Sequence, residues 1–129
     1  MNLNQVTVAT TDVPRAIRFY TALGLRLIVE SLPRYARFEC PGGGGSFSVH
    51  LAEQGVTPSQ TVVYFECVDL DRQVDSVTQA GIQFDAAPVD QPWLWREARL
   101  RDPDGNVVCL YHAGSNRLNP PWRIDSRTS

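Results

Sequence analysis

The chain has 129 residues, the length of one compact domain, since domains usually span roughly 100–150 residues. Hydrophobic residues make up 43% of the sequence and charged residues 20%, a balance typical of a soluble globular protein rather than a disordered or membrane protein. All 12 basic residues are arginine. This excludes a Walker A phosphate loop and Schiff-base chemistry, both of which need lysine. The net charge of -2 gives no field for binding nucleic acid, so no nucleic-acid partner is expected.

The cysteines and the N-terminal segment indicate the compartment. Cys40, Cys67 and Cys109 are odd in number and show no CxxC spacing, which favours a reduced intracellular protein over a disulfide scaffold. The first twelve residues lack the basic start and the long apolar core of a signal peptide. No apolar run approaches the roughly 20 residues that span a bilayer, so no membrane partner is expected. We therefore expect a cytoplasmic protein.

Two segments of the sequence repeat one pattern. Asp12 and Asp69 are each followed by Arg three residues later and by Gly twelve residues later, and the repeats are separated by 57 residues. Asp is a favoured helix N-cap and Gly often closes a helix, so each segment predicts a helix. The apolar positions recur at helical spacing, and they are Ile17, Tyr20 and Leu23 in the first segment and Val74, Val77 and Ala80 in the second.

An alternating apolar run precedes each predicted helix, and three candidate strands follow it. The following strands are predicted at Leu25–Glu30, Tyr35–Cys40 and Phe47–Glu53 in the first half, and at Ile82–Ala86, Glu97–Arg101 and Asn106–His112 in the second. We therefore predict an α+β fold in which two βαβββ modules, about 1–54 and 60–113, form one domain. A linker at 55–59 separates the modules and a tail at 114–129 follows them. A lone half of about 60 residues buries little core, so the modules are expected to pair.

This organisation resembles the vicinal oxygen chelate superfamily, which includes glyoxalase I, bleomycin resistance proteins and extradiol dioxygenases. The most specific parts are the segment from Asp12 through Phe19 and Tyr20 to Leu25, and the sequence DPDGN at 102–106 before the last strand. The resemblance covers nearly the whole chain. It implies that the modules form a curved mixed sheet around a concave groove. In members with chemistry it implies one divalent metal in that groove, often shared between the two chains of a homodimer.

Carried over residue by residue, the metal-ligand positions of that superfamily fall on Gln5, His50, Val62 and Cys109. Valine cannot bind a metal, and the set lacks the carboxylates that Mg²⁺, Mn²⁺ or Fe²⁺ prefer. Two interpretations remain open. A zinc or nickel site can be formed from Gln5, His50 and Cys109 with one open position. Alternatively, Gln5 and His50 orient a ligand and Cys109 is a small apolar residue of the same surface. We expect the second, with no cofactor.

Aromatic side chains are the other candidates for the groove. Trp93 and Trp95 would point the same way along a strand and form a wall for a flat ligand, although plain packing is an equally open interpretation. Tyr64 and Tyr111 follow the same alternation as Val62 and Cys109. Arg37 and Glu39 face the groove in one register of their strand and not in the other. The predicted groove thus comprises Gln5, Thr7, His50, Val62, Tyr64, Trp93, Trp95, Cys109 and Tyr111.

Three classes of function follow from these features. The first is a protein that binds a small aromatic molecule without a complete metal site, similar to bleomycin-resistance-type members that sequester an antibiotic. The alternative is a metal-dependent glyoxalase-like lyase, isomerase or dioxygenase of the same superfamily, and the sequence identifies no catalytic residue for it. The third is a regulatory or structural partner protein that uses its sheet edges or the Pro-Pro-Trp122 tail, which is expected to pack on the domain or on a second chain. A homodimer is expected from the resemblance.

Overall fold

The computed structural model describes residues 1–55, 57 and 59–124. Val56 and Pro58 of the predicted linker and residues 125–129 of the predicted tail lie outside the described residues. The elements follow the predicted α+β order, βαβββ twice. The first module contains β1 (Gln5–Thr10), α1 (Val13–Leu23), β2 (Arg26–Ser31), β3 (Tyr35–Glu39) and β4 (Ser46–Leu51). The second contains β5 (Val62–Glu66), α2 (Leu70–Gln79), β6 (Val89–Asp90), β7 (Arg96–Arg101) and β8 (Val107–His112), followed by a 3₁₀ turn (Gly114–Asn116).

Each module forms one four-stranded mixed sheet. The strand order is β1-β4-β3-β2 in the first sheet and β5-β8-β7-β6 in the second. In both sheets the first strand pairs in parallel with the last, and the other neighbours are antiparallel. As a result β1 and β5 occupy equivalent positions, each at one edge of its sheet with a single partner strand.

Both helices are capped as the sequence predicts. The Asp12 carboxylate accepts a hydrogen bond from the backbone N–H of Arg15 at 3.0 Å, and the Asp69 carboxylate accepts one from Arg72 at 3.2 Å. Gly24 ends α1 with a positive φ of 121°, a region that L residues rarely adopt. Of the predicted apolar positions, Ala80 is wrong, because it follows the last turn of α2 and is exposed.

One hydrophobic core is shared by the two modules. It packs the inner faces of both helices against the helix-facing side chains of both sheets. Tyr20, Phe38 and Phe47 are its largest fully buried side chains. The ring of Phe47 on β4 meets that of Phe65 on β5 at 5.6 Å between centroids, so the core runs from one module into the other. The two modules are thus packed together through this core, as expected because a lone module buries too little apolar surface.

The predicted strand at Ile82–Ala86 is the main error in the secondary structure. This segment makes one bridge, between Phe84 and Leu100, and one hydrogen bond from the Asp85 N–H to the Arg99 carbonyl at 2.8 Å. Pro88 has no N–H to continue a ladder. Regular pairing with β7 therefore begins only at Val89, and β6 is two residues long.

The turn at 102–106, which we call the inter-module turn, ties the second module to the first. Tyr20 of α1 donates to Asp102 Oδ2 at 2.7 Å, and Asn106 Nδ2 donates to the Ala9 carbonyl at 3.2 Å. The Asp102 carboxylate also accepts the backbone N–H groups of Asp104 and Asn106, which closes the turn. The DPDGN sequence is thus a turn whose side chains form hydrogen bonds with the end of β1 and with α1.

Within the described parts of the chain, neither helix is long and apolar enough to cross a membrane.

Candidate functional site

The face of the first sheet turned away from α1 carries connected polar side chains, and we call it the polar face. It consists of Gln5, Thr7, Tyr35, Arg37, Ser46 and Ser48. The amide oxygen of Gln5 accepts from the Ser46 hydroxyl, and its amide nitrogen donates to the Ser48 hydroxyl and, at 3.3 Å, to Thr7 Oγ1. Phe47 and Val49 alternate with these serines and point into the core, as predicted. The same alternation places Arg37 on the polar face, because Ala36 and Phe38 are fully buried.

Tyr35 is the centre of the hydrogen bonds on the polar face. Its hydroxyl lies 2.7 Å from Ser48 Oγ and accepts from Arg37 Nε at 2.9 Å. Ser48 Oγ also accepts from Gln5 Nε2, and in its hydrogen bond with Tyr35 either hydroxyl can be the donor. These donors favour the phenolate: the hydrogen bond from Ser48, followed by the hydrogen bond and charge of Arg37, lowers the pKa of Tyr35.

The corresponding face of the second sheet is mainly aromatic, and we call it the aromatic face. It is formed by Tyr64, Trp95, Glu97, Cys109 and Tyr111. Trp95 stacks on Tyr111 with ring centroids 4.7 Å apart, and Tyr64 meets both rings edge-on, at 5.9 Å and 5.5 Å. Tyr64 is 41% exposed, so the cluster reaches the surface. Burial, with the charge of Glu66 nearby, raises the pKa of Tyr111 and keeps its hydroxyl protonated at neutral pH.

A carboxylate is buried beside these rings. The Glu97 side chain is only 3% exposed, and its Oε2 accepts from the indole N–H of Trp93 at 3.0 Å. Arg99 Nε lies 3.8 Å from Glu97 Oε1 and partly balances its charge. Glu97 pairs with Tyr111 across β7 and β8, which brings the charge next to the aromatic cluster.

The two tryptophans do not form the wall predicted from strand geometry. They precede β7, and Leu94 between them has a positive φ of 67°. A turn forms here, in which the Gln91 carbonyl accepts from the Leu94 N–H and the Gln91 N–H donates to Trp95. The strand alternation is therefore broken: Trp95 joins the stacked rings and Trp93 binds Glu97.

Cys109 lies in the floor of the aromatic face. It is fully buried, pairs across the strands with Tyr64 and Arg99, and packs with Val62 and Tyr111. Burial, assisted by the charge of Glu97, raises the pKa of the Cys109 thiol to about 11. A protonated buried thiol is a small apolar filler, not a nucleophile.

An open cleft of about 820 Å³ borders the aromatic face. Its walls come from both modules and include Leu25 and the loop after Cys40 on one side, and Tyr64, Tyr111 and Arg117 on the other. Its volume lies in the range of ordinary ligand sites. Glu66 lines it too, but the Glu66 carboxylate accepts the backbone N–H groups of Ala113 and Gly114 and so holds the chain after β8.

The polar face and the aromatic face are separate within one chain. Among the described residues, the hydrogen bonds and ring contacts of each face stay within its own module. The predicted groove residues are accordingly divided. Gln5, Thr7 and His50 lie with the polar face, and Val62, Tyr64, Trp93, Trp95, Cys109 and Tyr111 lie on or beside the aromatic face.

A family model described as the Glyoxalase/Bleomycin resistance protein/Dioxygenase superfamily matches residues 2–110 of the chain. The chain belongs to this superfamily. The fold agrees with solved structures of the glyoxalase/bleomycin resistance/dioxygenase group. A protein of that description from Nocardioides gives a TM-score of 0.74 at 20% identity, over 97% of this chain and 90% of that chain.

Two further relatives extend the comparison. A bleomycin resistance determinant encoded on the transposon Tn5 gives a TM-score of 0.73 at 20% identity, covering 87% of this chain and 98% of that chain. The uncharacterized protein YraH of Bacillus subtilis (strain 168) is 26% identical in an alignment 129 positions long that covers 86% of this chain and 98% of that protein. At these identities the solved structures support the fold alone.

The strand register shows where the predicted metal-ligand positions of this superfamily lie in the chain. Gln5 lies opposite Ser46 and bonds to Ser48, whereas His50 lies four residues further along β4, opposite Ala9 of β1 and Tyr35 of β3. In the second module Val62 lies opposite Val107, and Cys109 follows two residues later. The counterpart of Cys109 is therefore Ser48, and the counterpart of His50 is Tyr111.

These residues do not fit a divalent metal. The register brings together Gln5, whose amide is already bonded to two serines, the Ser48 hydroxyl, Val62 and Cys109, and this set contains no carboxylate and no imidazole. Within the described residues, no three His, Cys, Asp or Glu side chains are grouped so that they could hold a metal ion. The interpretation with a zinc site on Gln5, His50 and Cys109 thus has no geometric support from the register.

Some features of the site were not identified from the sequence. Tyr35, two residues before Arg37, shares its face by simple alternation, and this spacing was the available signal. Ser48 as the partner of Gln5 and Tyr35 requires the pairing of three strands. The tail also differs from expectation in part: Trp122 is 56% exposed, so it is not packed onto its own domain.

Proposed function

We propose that this superfamily member binds a small aromatic molecule by noncovalent contacts and holds no complete metal site. The observation that carries the proposal is the convergence of Tyr64, Trp95 and Tyr111 on one sheet face, where Tyr64 and Tyr111 also line the open cleft. Aromatic side chains supply large contact areas for flat ligands at little cost in side-chain entropy. The likeness to a bleomycin resistance determinant supports including antibiotics among the candidate ligands.

We also propose a homodimer in which the polar face of one copy is opposed to the aromatic face of the partner subunit. Within one chain neither face is covered by the other, yet the superfamily groove uses the first and last strands of two modules. β1 and β5 each have one partner strand, which leaves an edge available to a second copy. The proposal predicts a dimer in sedimentation equilibrium at micromolar concentration, and a monomer there would contradict it.

The same proposal places the protein in the cytoplasm and outside metal-dependent catalysis. Cys40, Cys67 and Cys109 are all free thiols, which suits a reducing compartment. Turnover of methylglyoxal with glutathione that is abolished by a chelator would instead establish the lyase alternative. The donor set described above gives no reason to expect that result.

The ligand proposal is tested with a panel of planar aromatic compounds and with bleomycin. Binding of each compound is measured by the shift in Tm on thermal unfolding and by the change in tryptophan fluorescence. A ligand that binds only the folded state stabilises it by RT ln(1 + [L]/Kd), so Tm keeps rising with the ligand concentration even after the site is saturated. We expect Trp95→Leu to abolish the shift for every compound that stabilises the native protein. Trp122→Leu serves as the matched control, because Trp122 lies on the exposed tail, and should leave the shift unchanged. A shift that survives Trp95→Leu, or its absence across the panel, would refute the aromatic site.

A further inference from the structure

The polar face holds a fixed cation that has no carboxylate partner. Within the described residues, ion pairs within 4.0 Å join carboxylates to Arg15, Arg26, Arg96, Arg99 and Arg117, but none joins one to Arg37. Glu39, which follows Arg37 on the same face of β3, is engaged by Arg26 at 2.9 Å. The charge of Arg37 is therefore not neutralised by its neighbours on the sheet.

Arg37 is also held in place. Its Nε donates to the Tyr35 hydroxyl at 2.9 Å, and its guanidinium carbon lies 5.5 Å from the centre of the Tyr35 ring. A guanidinium fixed at one nitrogen still presents its two terminal NH₂ groups, in the planar arrangement that matches the two oxygens of a carboxylate. Less side-chain entropy is then lost on binding than for a free surface arginine.

Tyr35 places a hydroxyl group beside this cation. Its oxygen accepts from Arg37 Nε at 2.9 Å and lies 2.7 Å from Ser48 Oγ, in a hydrogen bond that either hydroxyl can donate. Ser48 is fully buried and accepts from Gln5, which fixes the position of the phenol. When Ser48 donates, the Tyr35 O–H is available to a ligand next to the two guanidinium NH₂ groups on this open face.

We propose that Tyr35 and Arg37 form a subsite for an anionic oxygen, carboxylate or phenolate, of the aromatic ligand. The subsite rests on the proposed function, because the aromatic part of the ligand lies on the aromatic face of the partner subunit in the proposed homodimer. Donors without a nearby carboxylate favour an anion over a neutral acceptor, and they disfavour a cation. The polar face thereby sets the charge class and the orientation of the ligand.

The experiment uses the full chain with ¹³C-labelled tyrosine rings, and Tyr35→Phe identifies the Tyr35 signal. The protein is titrated at pH 7 with 2-naphthoate, 2,4-dinitro-1-naphtholate, 2-naphthamide, 2-naphthylmethylammonium and acetate; the nitro groups keep the naphtholate ionised at this pH. We expect 2-naphthoate or the dinitronaphtholate to shift the Tyr35 signal and to bind at least fivefold more tightly than 2-naphthamide, with the ammonium compound weakest. In Arg37→Gln this preference should fall to within twofold. Arg18→Gln removes the same charge from an exposed position of α1 and should leave the preference unchanged.

The outcomes separate this subsite from the aromatic function. If 2-naphthamide binds as tightly as both anions, or Arg37→Gln leaves the preference intact, the anionic subsite is wrong while the aromatic function stands. If acetate shifts Tyr35 in an Arg37-dependent manner but no naphthalene compound binds more tightly than acetate, the subsite stands and the aromatic function falls. If no probe shifts Tyr35, the subsite is overturned. A response to 2,4-dinitro-1-naphtholate alone identifies the phenolate as the group recognised, and a response to 2-naphthoate alone identifies the carboxylate.

Discussion

Asp104 offers the sharpest test of what holds the two modules together. Its side chain is only 2% exposed and accepts four hydrogen bonds from the first module: from Thr10 Oγ1 at 2.6 Å, from the Thr11 N–H and Oγ1 at 3.0 Å each, and from Arg15 at 2.9 Å. Three of them converge on Oδ1. Removing the side chain in Asp104→Ala leaves four donors without their acceptor.

Asp104→Ala and Asp104→Asn should lower the free energy of unfolding by different amounts. Hydrogen bonds to a charged group contribute roughly 1.5–3 kcal/mol each when buried, but Arg15 is 38% exposed and water replaces part of its loss, so Asp104→Ala should cost about 3 kcal/mol. In Asp104→Asn the amide oxygen can stay with the three donors. Its NH₂ can donate to Thr10, whose hydroxyl already reaches the Asp12 carbonyl. Only the charge is lost, and the cost should be about 1 kcal/mol.

Urea unfolding followed by circular dichroism at fixed protein concentration measures both values, and Tm should fall by roughly 4 °C per kcal/mol for a chain of this size. Asp90→Asn is the control, since that carboxylate is 82% exposed beside Arg96 and should cost less than about 0.5 kcal/mol. Equal losses for the two Asp104 variants, or a loss in Asp104→Ala no larger than the control, would refute this account of the inter-module turn.

The pH dependence has a defined sign. Burial works to raise the pKa of Asp104, but the hydrogen bonds from Thr10 and Thr11 and the charge of Arg15 outweigh it and hold the pKa below its usual value. The stability it provides is complete above the unfolded pKa of about 3.9 and is lost as pH falls through the lower folded pKa. The difference between the native protein and Asp104→Asn should therefore narrow below about pH 4. A difference that stays constant down to pH 2 would contradict the charge term.

Two other predictions concern single positions. Gly24→Ala should lower the free energy of unfolding by about 1–2 kcal/mol, because φ is +121° and the new Cβ would lie 3.0 Å from Gln73 Nε2. Gly43→Ala is the control, since the nearest neighbour of its Cβ would be 4.0 Å away. In the same urea titration it should change the free energy of unfolding by less than about 0.5 kcal/mol. Cys109 should react with a disulfide reagent at pH 8 only as the protein unfolds, because the thiol is fully buried with a pKa of about 11. Rapid labelling of a thiol in the folded protein that is lost in Cys109→Ser would show this burial to be wrong.

Local chemistry made much of the fold predictable. A carboxylate that caps a first turn acts within three residues, so Asp12 and Asp69 identify their helices without any knowledge of the rest of the chain. Alternation likewise assigned Phe47 and Val49 to the core. The prediction of a strand at 82–86 was wrong because a strand also needs a continuous partner strand. Phe84 has the right alternation, but pairing stops at one bridge and resumes only after Pro88.

The candidate site was harder to predict because register is a property of pairs of strands. The offset of 57 residues holds from Gln5 to Val62 and through both helices, but it grows to 61 between Ser48 and Cys109 because the connections before the last strands differ in length. The alignment of one last strand with the other can be found only from its pairing with β1 or β5. This is why the sequence alone matched His50 with Cys109, whereas the strand register matches Ser48 with Cys109.

The corrected register also explains why the two faces differ so much in chemistry. Equivalent positions carry Gln5 and Val62, Thr7 and Tyr64, Ser48 and Cys109, and His50 and Tyr111. In the first module these positions and Tyr35 supply directional hydrogen bonds but little apolar area, and in the second they supply stacked rings but few free donors. Apolar contact raises affinity without fixing orientation, whereas hydrogen bonds to exposed groups fix orientation with little net affinity. A ligand held by either face alone would be bound loosely or weakly. This difference is the reason for our proposal that the polar face of one copy is opposed to the aromatic face of the partner subunit, since that arrangement would combine affinity with a fixed orientation.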